Sequence, residues 1–185
     1  MESVKKLFLY SGCLYELIKG VIFFAAILII INYFFATFLI VRGTSMEPNY
    51  KDGELVIVDR TRYTFGIPQR GDVIGLKFPG QPTKKKFIKR IVGLPGEHIK
   101  ITGKNVFIDG KKYTEDYLPL YLEQNDYVDV TIAQDQYFVM GDNRGVSSDS
   151  RKWGTVPRKN IVGRAYLRIW PIEKIGLVEH FKSEY

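Results

Sequence analysis

A serine and a lysine in this sequence have surroundings that suit nucleophilic catalysis. Lys89 lies in Phe87–Val92, a short run rich in β-branched and aromatic residues that indicates a strand. Burial in an apolar strand disfavours a charged amine, so we expect the pKa of Lys89 to fall below the ordinary value of about 10.4. A neutral lysine can accept the proton of a serine hydroxyl, and Ser45 is the candidate partner. On this segment alone, an edge-strand lysine with its amine in water is the simpler interpretation.

The candidate nucleophile lies in the segment Arg42–Pro48, which begins where a long apolar run ends. Ser45 is four residues beyond Val41, the last residue of that run. An extended chain covers about 3.3–3.6 Å per residue, so Ser45 lies within about 14 Å of the end of the run. Taken alone, the Ser-Met-x-Pro pattern also fits an ordinary turn.

A third polar segment, Gly141–Arg151, follows the apolar strand pattern Tyr137–Met140. Glycine-bearing polar loops at strand ends are common places for functional groups. The alternative is a solvated turn in which Asp149 and Arg151 form a local ion pair.

The apolar run itself predicts a membrane anchor. Val21–Val41 contains 21 residues without a charge, and a spanning helix needs about 20. A cleaved signal peptide has a shorter apolar region, of about 7–15 residues, and a small-residue cleavage site that Phe38–Val41 does not offer. A buried core helix is disfavoured because a small domain has little use for a helix apolar on every face. We therefore predict an uncleaved transmembrane anchor at residues 20–41, preceded by a short segment at residues 1–19.

Residues 42–185 have the pattern of a mainly β domain. Short apolar runs alternate with turn residues, and no segment shows a sustained helical period. The predicted strands are Leu55–Val58, Asp72–Phe78, Phe87–Val92, His98–Thr102, Asn105–Ile108, Tyr127–Ile132, Gln136–Met140 and Ile161–Ile169. Gly103-Lys104 predicts a tight hairpin, and residues 79–86 and 115–126 are predicted loops.

Composition limits the partners and cofactors. The single cysteine, Cys13, precedes the apolar run, so the β domain contains no disulfide. With only two histidines, a structural zinc site is improbable, and we expect no metal or other cofactor. The net charge of +7 fits nucleic acid or anionic lipid. No nucleic-acid-binding motif accompanies it, so we expect a phospholipid membrane as partner and no nucleic acid.

Four blocks in fixed order carry a resemblance to bacterial type I signal peptidases, the serine–lysine leader peptidases of family S26. The resemblance extends from the apolar run to about Trp170. The blocks are Gly43–Pro48, Arg70–Val73, Lys89–Gly96 and Gly141–Arg151.

The resemblance implies a role for each matching residue. Ser45 would be the acylated nucleophile, Lys89 its general base, and Ser147 an orienting partner of the lysine. Further supporting residues would be Gly141, Asp142, Arg90, Asp149 and Arg151, with Asp142 as the ion-pair partner of Arg90. Met46, Phe87 and Ile88 flank the catalytic pair and are candidates for the apolar wall of the substrate pocket, although plain core packing explains them equally well.

Three departures from the family pattern lie in or next to the matching blocks. Gly43 stands where some members supply a serine hydroxyl to the oxyanion hole, so the second donor there must differ or be absent. Asn49 follows the proline where threonine is usual, and asparagine can hydrogen-bond the backbone in much the same way. Gly145-Val146 also replaces a more polar pair.

The resemblance implies an extended antiparallel β-sheet catalytic domain behind a single transmembrane helix. The amino terminus would be cytoplasmic, as in a single-pass type II protein, and residues 42–185 would lie outside the cytoplasmic membrane. The substrates would be the signal peptides of secreted preproteins. The alternative is a catalytically inactive or specialised homologue, a membrane-tethered β module. A self-cleaving repressor would need a DNA-binding domain, and a eukaryotic-type subunit would carry histidine in place of Lys89.

Overall fold

The structure, a computed structural model, describes residues 2–78, 86–119 and 124–181. These residues divide into two units, one ending at Ala36 and the other beginning at Thr37. The first unit is a single helix, α1, at Glu2–Phe34. Its side chains from Leu14 to Ile30 are exposed. In the part of the chain that the structure describes, no helix meets the length and hydropathy required to cross a membrane.

The predicted anchor extended to Val41, and the structure corrects this boundary. The helix ends at Phe34, and Ala36–Ile40 form strand β1. Leu39 and Val41 are buried in the core of the second unit, whereas Phe38 and Ile40 are exposed, which is the alternation of a strand. Val41 also exchanges backbone hydrogen bonds with the turn before the next strand. Hydropathy cannot separate a helix from a buried strand that follows it directly.

The second unit contains two sheets, and the predicted mainly β, antiparallel fold is confirmed. Besides β1, the strands of the larger sheet are β2 (Leu55–Asp59), β3 (Val73–Lys77), β4 (Lys86–Gly93), β9 (Gln136–Met140), β10 (Val156–Pro157), β11 (Ile161–Trp170) and β12 (Gly176–Leu177). Their order across the sheet is β1-β2-β11-β3-β4-β9-β10, with β12 paired to β11. Every pair in this sheet with an assigned register is antiparallel.

The smaller sheet has the order β7-β6-β5-β8 and is antiparallel throughout. Its strands are β5 (His98–Gly103), β6 (Asn105–Ile108), β7 (Lys111–Tyr113) and β8 (Asp126–Thr131). Two one-turn helices, α2 (Arg62–Phe65) and α3 (Ser150–Trp153), were not predicted from the sequence. Of the two predicted loops, residues 79–85 and 120–123 lie outside the described residues.

Three apolar clusters fix the position of strand β4. Ile88 packs with Met46 in a cluster on one face of the larger sheet, and Ile91 belongs to a second cluster with Val139 of β9. Val92 joins a third cluster, which also contains the inward side chains of the smaller sheet. Because consecutive β4 side chains enter different clusters, the strand cannot slip by one residue without moving apolar groups into the wrong environment.

Candidate active site

The structure brings Ser45 and Lys89 into direct contact. Lys89 Nζ lies 2.6 Å from Ser45 Oγ, within hydrogen-bond distance. Lys89 is buried, at 3% exposure, whereas Ser45 is half-buried. Ser45 lies in the turn Thr44–Tyr50, which is closed by a hydrogen bond from Tyr50 N to Met46 O. A nucleophile that is partly accessible beside a buried base is the arrangement that serine activation requires.

Strand pairing explains why Lys89 is buried. Strand β4 is paired with β3 on one side, where Lys89 lies opposite Ile74, and with β9 on the other. The alternative of an edge-strand lysine is therefore wrong. The central strand holds the backbone of Lys89 on both sides, and the apolar clusters around β4 exclude water from its side chain.

Burial changes the protonation of this amine. Desolvation lowers the pKa of Lys89 to about 8, although the carboxylates of Asp149 and Asp142 oppose part of the shift. A neutral amine is therefore accessible near neutral pH, in the direction predicted from the apolar strand.

A buried ion pair lies beside the Ser45–Lys89 dyad. Arg90, the neighbour of Lys89 in β4, donates from Nε to Asp142 Oδ1 at 2.9 Å and from Nη2 to Asp142 Oδ2 at 2.7 Å. Arg90 Nη1 donates to Gly71 O at 3.0 Å. Both partners are 1% exposed, and Tyr117 stacks on the guanidinium at 4.1 Å. The pairing expected between Arg90 and Asp142 is therefore formed, in the bidentate geometry that stabilises buried charges.

Asp149 organises the loop that follows β9. Its carboxylate accepts from Gly141 N at 2.9 Å and from Arg151 Nε and Nη2, both at 2.8 Å. It also caps helix α3 by accepting from Arg151 N. Burial alone would raise the pKa of Asp149, but the hydrogen bonds and charge of Arg151 hold it below its usual value. Asp149 therefore stays ionised and keeps the loop closed.

Gly141 lets this loop approach the nucleophile. A Cβ placed on Gly141 would lie 2.2 Å from Ser147 Oγ and 2.3 Å from Ser45 O, so only glycine fits there. Asn143 N donates to Ser45 O at 3.1 Å, which ties the loop to the nucleophile turn.

Ser147 is buried beside the dyad but does not bond to the lysine. It is 1% exposed, and its hydroxyl has no hydrogen bond of good geometry to any described residue. It does lie close enough to Asp149 to help lower the pKa of that carboxyl. The orienting contact implied for Ser147 and Lys89 is therefore not formed in this structure.

Gly43 has the backbone conformation that its residue type allows. Its φ is +78°, in the left-handed region that favours glycine. Its N–H donates to Asp52 Oδ1 at 2.6 Å, so this donor is already engaged within the segment around the turn.

A family model described as "Signal peptidase, peptidase S26" matches residues 14–170 of this sequence. The match contains both members of the dyad and the whole of the loop between Gly141 and Arg151. The chain belongs to the signal peptidase family, peptidase S26.

Named members of the signal peptidase family resemble this chain over most of its length. The probable signal peptidase I-2 of Synechocystis sp. is 36% identical over 171 residues, covering 88% of this chain and 76% of the relative. The signal peptidase I of Leptolyngbya laminosa is 38% identical over 154 residues, covering 79% and 74%. Signal peptidase IB of Staphylococcus aureus is 32% identical over 179 residues, covering 86% and 92%. A crystal structure of a signal peptidase I from Enterococcus faecalis V583 aligns with a TM-score of 0.46 at 29% identity, covering 54% of this chain and 97% of that chain.

The three residues predicted to form the pocket wall of this signal peptidase family member do not share one surface in the structure. Met46 and Ile88 pack in the same core cluster and are 0% and 3% exposed. Phe87 points to the other face of β4, where its ring lies 6.0 Å from that of Phe78 and remains 38% exposed. A role for the three as one pocket wall stays a prediction.

Several residues that the sequence did not predict also lie around the site. Buried Arg144 donates to Gly141 O at 3.1 Å and pairs with Glu115 of the loop after β7. The segment after β12 also reaches the site, because the ring of Phe181 lies 5.5 Å from the Arg90 guanidinium. The Gly-Asp-Asn-Arg block signals Arg144. No sequence pattern signals Glu115 or Phe181, which the fold brings to Arg144 and to Arg90, respectively.

Proposed function

We propose that this protein is a membrane-bound serine endopeptidase that removes N-terminal signal peptides from secreted preproteins, with Ser45 as nucleophile and Lys89 as general base. The observation that carries the proposal is the 2.6 Å contact between Ser45 Oγ and the buried amine of Lys89. Membership of the signal peptidase family and the relatives named signal peptidase I support the same activity.

The proposed mechanism uses a single base, Lys89, which takes up and returns a proton in each half of the reaction. Neutral Lys89 takes the hydroxyl proton as Ser45 Oγ bonds to the scissile carbonyl carbon. The lysine ammonium then gives that proton to the leaving amine as the peptide C–N bond breaks, which leaves an acyl ester on Ser45. In the second half, Lys89 takes a proton from water as the water oxygen attacks the ester. The same proton returns to Ser45 Oγ as the ester bond breaks.

The oxyanion formed at the scissile carbonyl needs donors directed at it. The backbone N–H of Ser45 is the first candidate. Because the Gly43 N–H is taken by Asp52, a second donor would have to come from elsewhere in the turn or the facing loop.

The substrate would bind extended beside the turn and strand β4, since extended peptides are recognised by strand addition and shallow side-chain pockets. Of the three predicted wall residues, Phe87 is the exposed one, so it is the candidate for contact with the substrate. Small residues at the first and third positions before the cut would be favoured, as the resemblance to type I signal peptidases implies.

The protein would be held at the outer face of the cytoplasmic membrane by its amino-terminal segment, as a single-pass type II protein. The support is the uncharged stretch Val21–Phe34 within α1 and the exposed apolar side chains between Leu14 and Ile30. A helix surface of this kind is unfavourable in water and suits lipid. Ser45 follows the last helical residue, Phe34, by 11 positions in the sequence.

The test is cleavage of a preprotein by the full chain in detergent, with the cut site mapped by mass spectrometry. We expect one cut after the signal peptide, and a loss of about 10²–10⁴-fold in kcat for Lys89→Met, which keeps the side-chain length but removes the base. Ser45→Ala should be inactive. Uncut preprotein with the folded wild-type chain would favour the alternative, an inactive membrane-tethered β module.

A further inference from the structure

The side chain of Asn49 joins the nucleophile turn to the buried ion pair. Asn49 lies four residues after Ser45. Its Nδ2 donates to Asp142 Oδ2 at 2.8 Å and to Tyr117 O at 3.1 Å, which uses both hydrogens of the amide. Its backbone carbonyl accepts from Arg168 Nη2 at 2.8 Å. Asn49 is thus fixed through its side chain and its main chain.

The acceptor of this bond is itself rigidly held next to the general base. Asp142 receives two hydrogen bonds from Arg90, and Arg90 is the residue after Lys89 in the central strand β4. A shift of Asp142 would therefore strain the strand that carries the base. Asn49 and Lys89 are connected through only two side chains, those of Asp142 and Arg90.

We infer that Asn49 is a positioning residue, which holds the Ser45 turn in register with Lys89 by donating to Asp142 and to the backbone of Tyr117. This inference rests on the proposed function for its catalytic consequence. Among the described residues, a second direct tie between the turn and the loop after β9 is the bond from Asn143 N to Ser45 O at 3.1 Å. With the side-chain bond of Asn49 lost, the turn would be held less firmly against that loop, and the distance between Oγ and Nζ would vary more.

The geometry explains why asparagine serves at this position. Two donors on one nitrogen satisfy two acceptors that lie on different segments, whereas a threonine hydroxyl can donate only once. An aspartate of the same shape has no donor when ionised and would place a second carboxylate against Asp142. Two carboxylates so close cannot both ionise easily, so one would keep its proton to a higher pH.

Other charges near Asn49 bear on the test. The groups that surround it or line the adjoining pocket are Asp142, Arg90, Arg168, Tyr50, Lys174 and Glu179. Arg90 and Arg168 already pair with Asp142 and Glu54, so a carboxylate at position 49 would add a negative charge without adding a cation to balance it.

The first experiment compares Asn49→Asp with the wild-type chain by measuring kcat and KM for a preprotein between pH 6 and pH 9. At low pH, a protonated aspartic acid donates its one hydrogen to Asp142, so activity should stay within about threefold of wild type. At high pH, the two ionised carboxylates repel each other. The kcat of Asn49→Asp should then be at least tenfold below that of wild type, with little change in KM. The matched control is Asn105→Asp, the same change at an exposed side chain of β6, which should follow the wild-type profile. A constant ratio of the Asn49→Asp and wild-type kcat values over this range would overturn the inference.

The second experiment tests the inference without measuring enzyme activity. Hydrogen–deuterium exchange of Asn49→Ala should be faster than wild type in peptides covering residues 44–50 and 141–147, and unchanged in the smaller sheet. Unchanged exchange in both peptides would overturn the inference even if the variant were less active. An inactive wild-type chain would instead reject the proposed function, and the exchange data would still report on the coupling of turn and loop.

Discussion

The buried pair of Arg90 and Asp142 offers a demanding test of how the site is held together. Asp142→Asn keeps the shape of the side chain but leaves the Arg90 guanidinium buried without a counter-charge. Breaking a buried pair in this way costs about 3–5 kcal/mol, a large part of the roughly 5–15 kcal/mol that stabilises a typical domain. We therefore expect the urea midpoint to fall strongly with an unchanged slope, which indicates lost stability without a change in the surface exposed on unfolding.

Two comparisons sharpen this prediction. Asp129→Asn removes the partner of His98 at an exposed pair, where both side chains are 42% exposed, and should cost less than about 1 kcal/mol. The double variant Arg90→Met, Asp142→Leu removes both charges and should be more stable than Asp142→Asn alone, because no unpaired charge remains buried. If Asp142→Asn unfolded at the same urea concentration as wild type, the pair would not be buried as the structure has it.

Two further predictions concern His180 and Gly141. Burial, followed by the charge of Arg164, lowers the pKa of His180 to about 4. Because the unfolded chain binds this proton near pH 6.5, stability should fall as pH drops from about 6.5 towards 4, by roughly 2 kcal/mol at pH 5. Urea titrations at pH 7 and pH 5 should show the loss in wild type and a smaller one in His180→Gln; equal losses would contradict the assignment. Gly141→Ala should lower kcat at least tenfold, since its Cβ would lie 2.3 Å from Ser45 O. Wild-type turnover by this variant would show that the loop and turn are not packed as described.

Much of this architecture could be predicted from short-range patterns. The strand around Lys89 was recognisable because β-branched and aromatic residues surround a single lysine. The expected fall in the pKa of Lys89 followed from the same pattern. The place of Ser45 just after the apolar run made it a candidate, and the resemblance to type I signal peptidases then selected it from among the serines of the chain.

The features that were missed depend on contacts between distant segments. Strand β1 was assigned to the anchor because Ala36–Ile40 is as apolar as the helix before it, and only its pairing with β2 makes it a strand. The donor role of Asn49 needs Tyr117 and Asp142, which lie 68 and 93 residues away. Local propensity carries no information about such partners.

The state of the Lys89 amine is the most direct test of the central claim. The structure implies that about 10% of the amine is neutral at pH 7, compared with about 0.03% for a lysine of pKa 10.5. We expect kcat/KM for preprotein cleavage to rise tenfold per pH unit below a midpoint near pH 8 and to level off above it, while far-ultraviolet circular dichroism shows an unchanged fold. A midpoint near pH 10.5, or a rate independent of pH across this range, would show that this lysine is not the base.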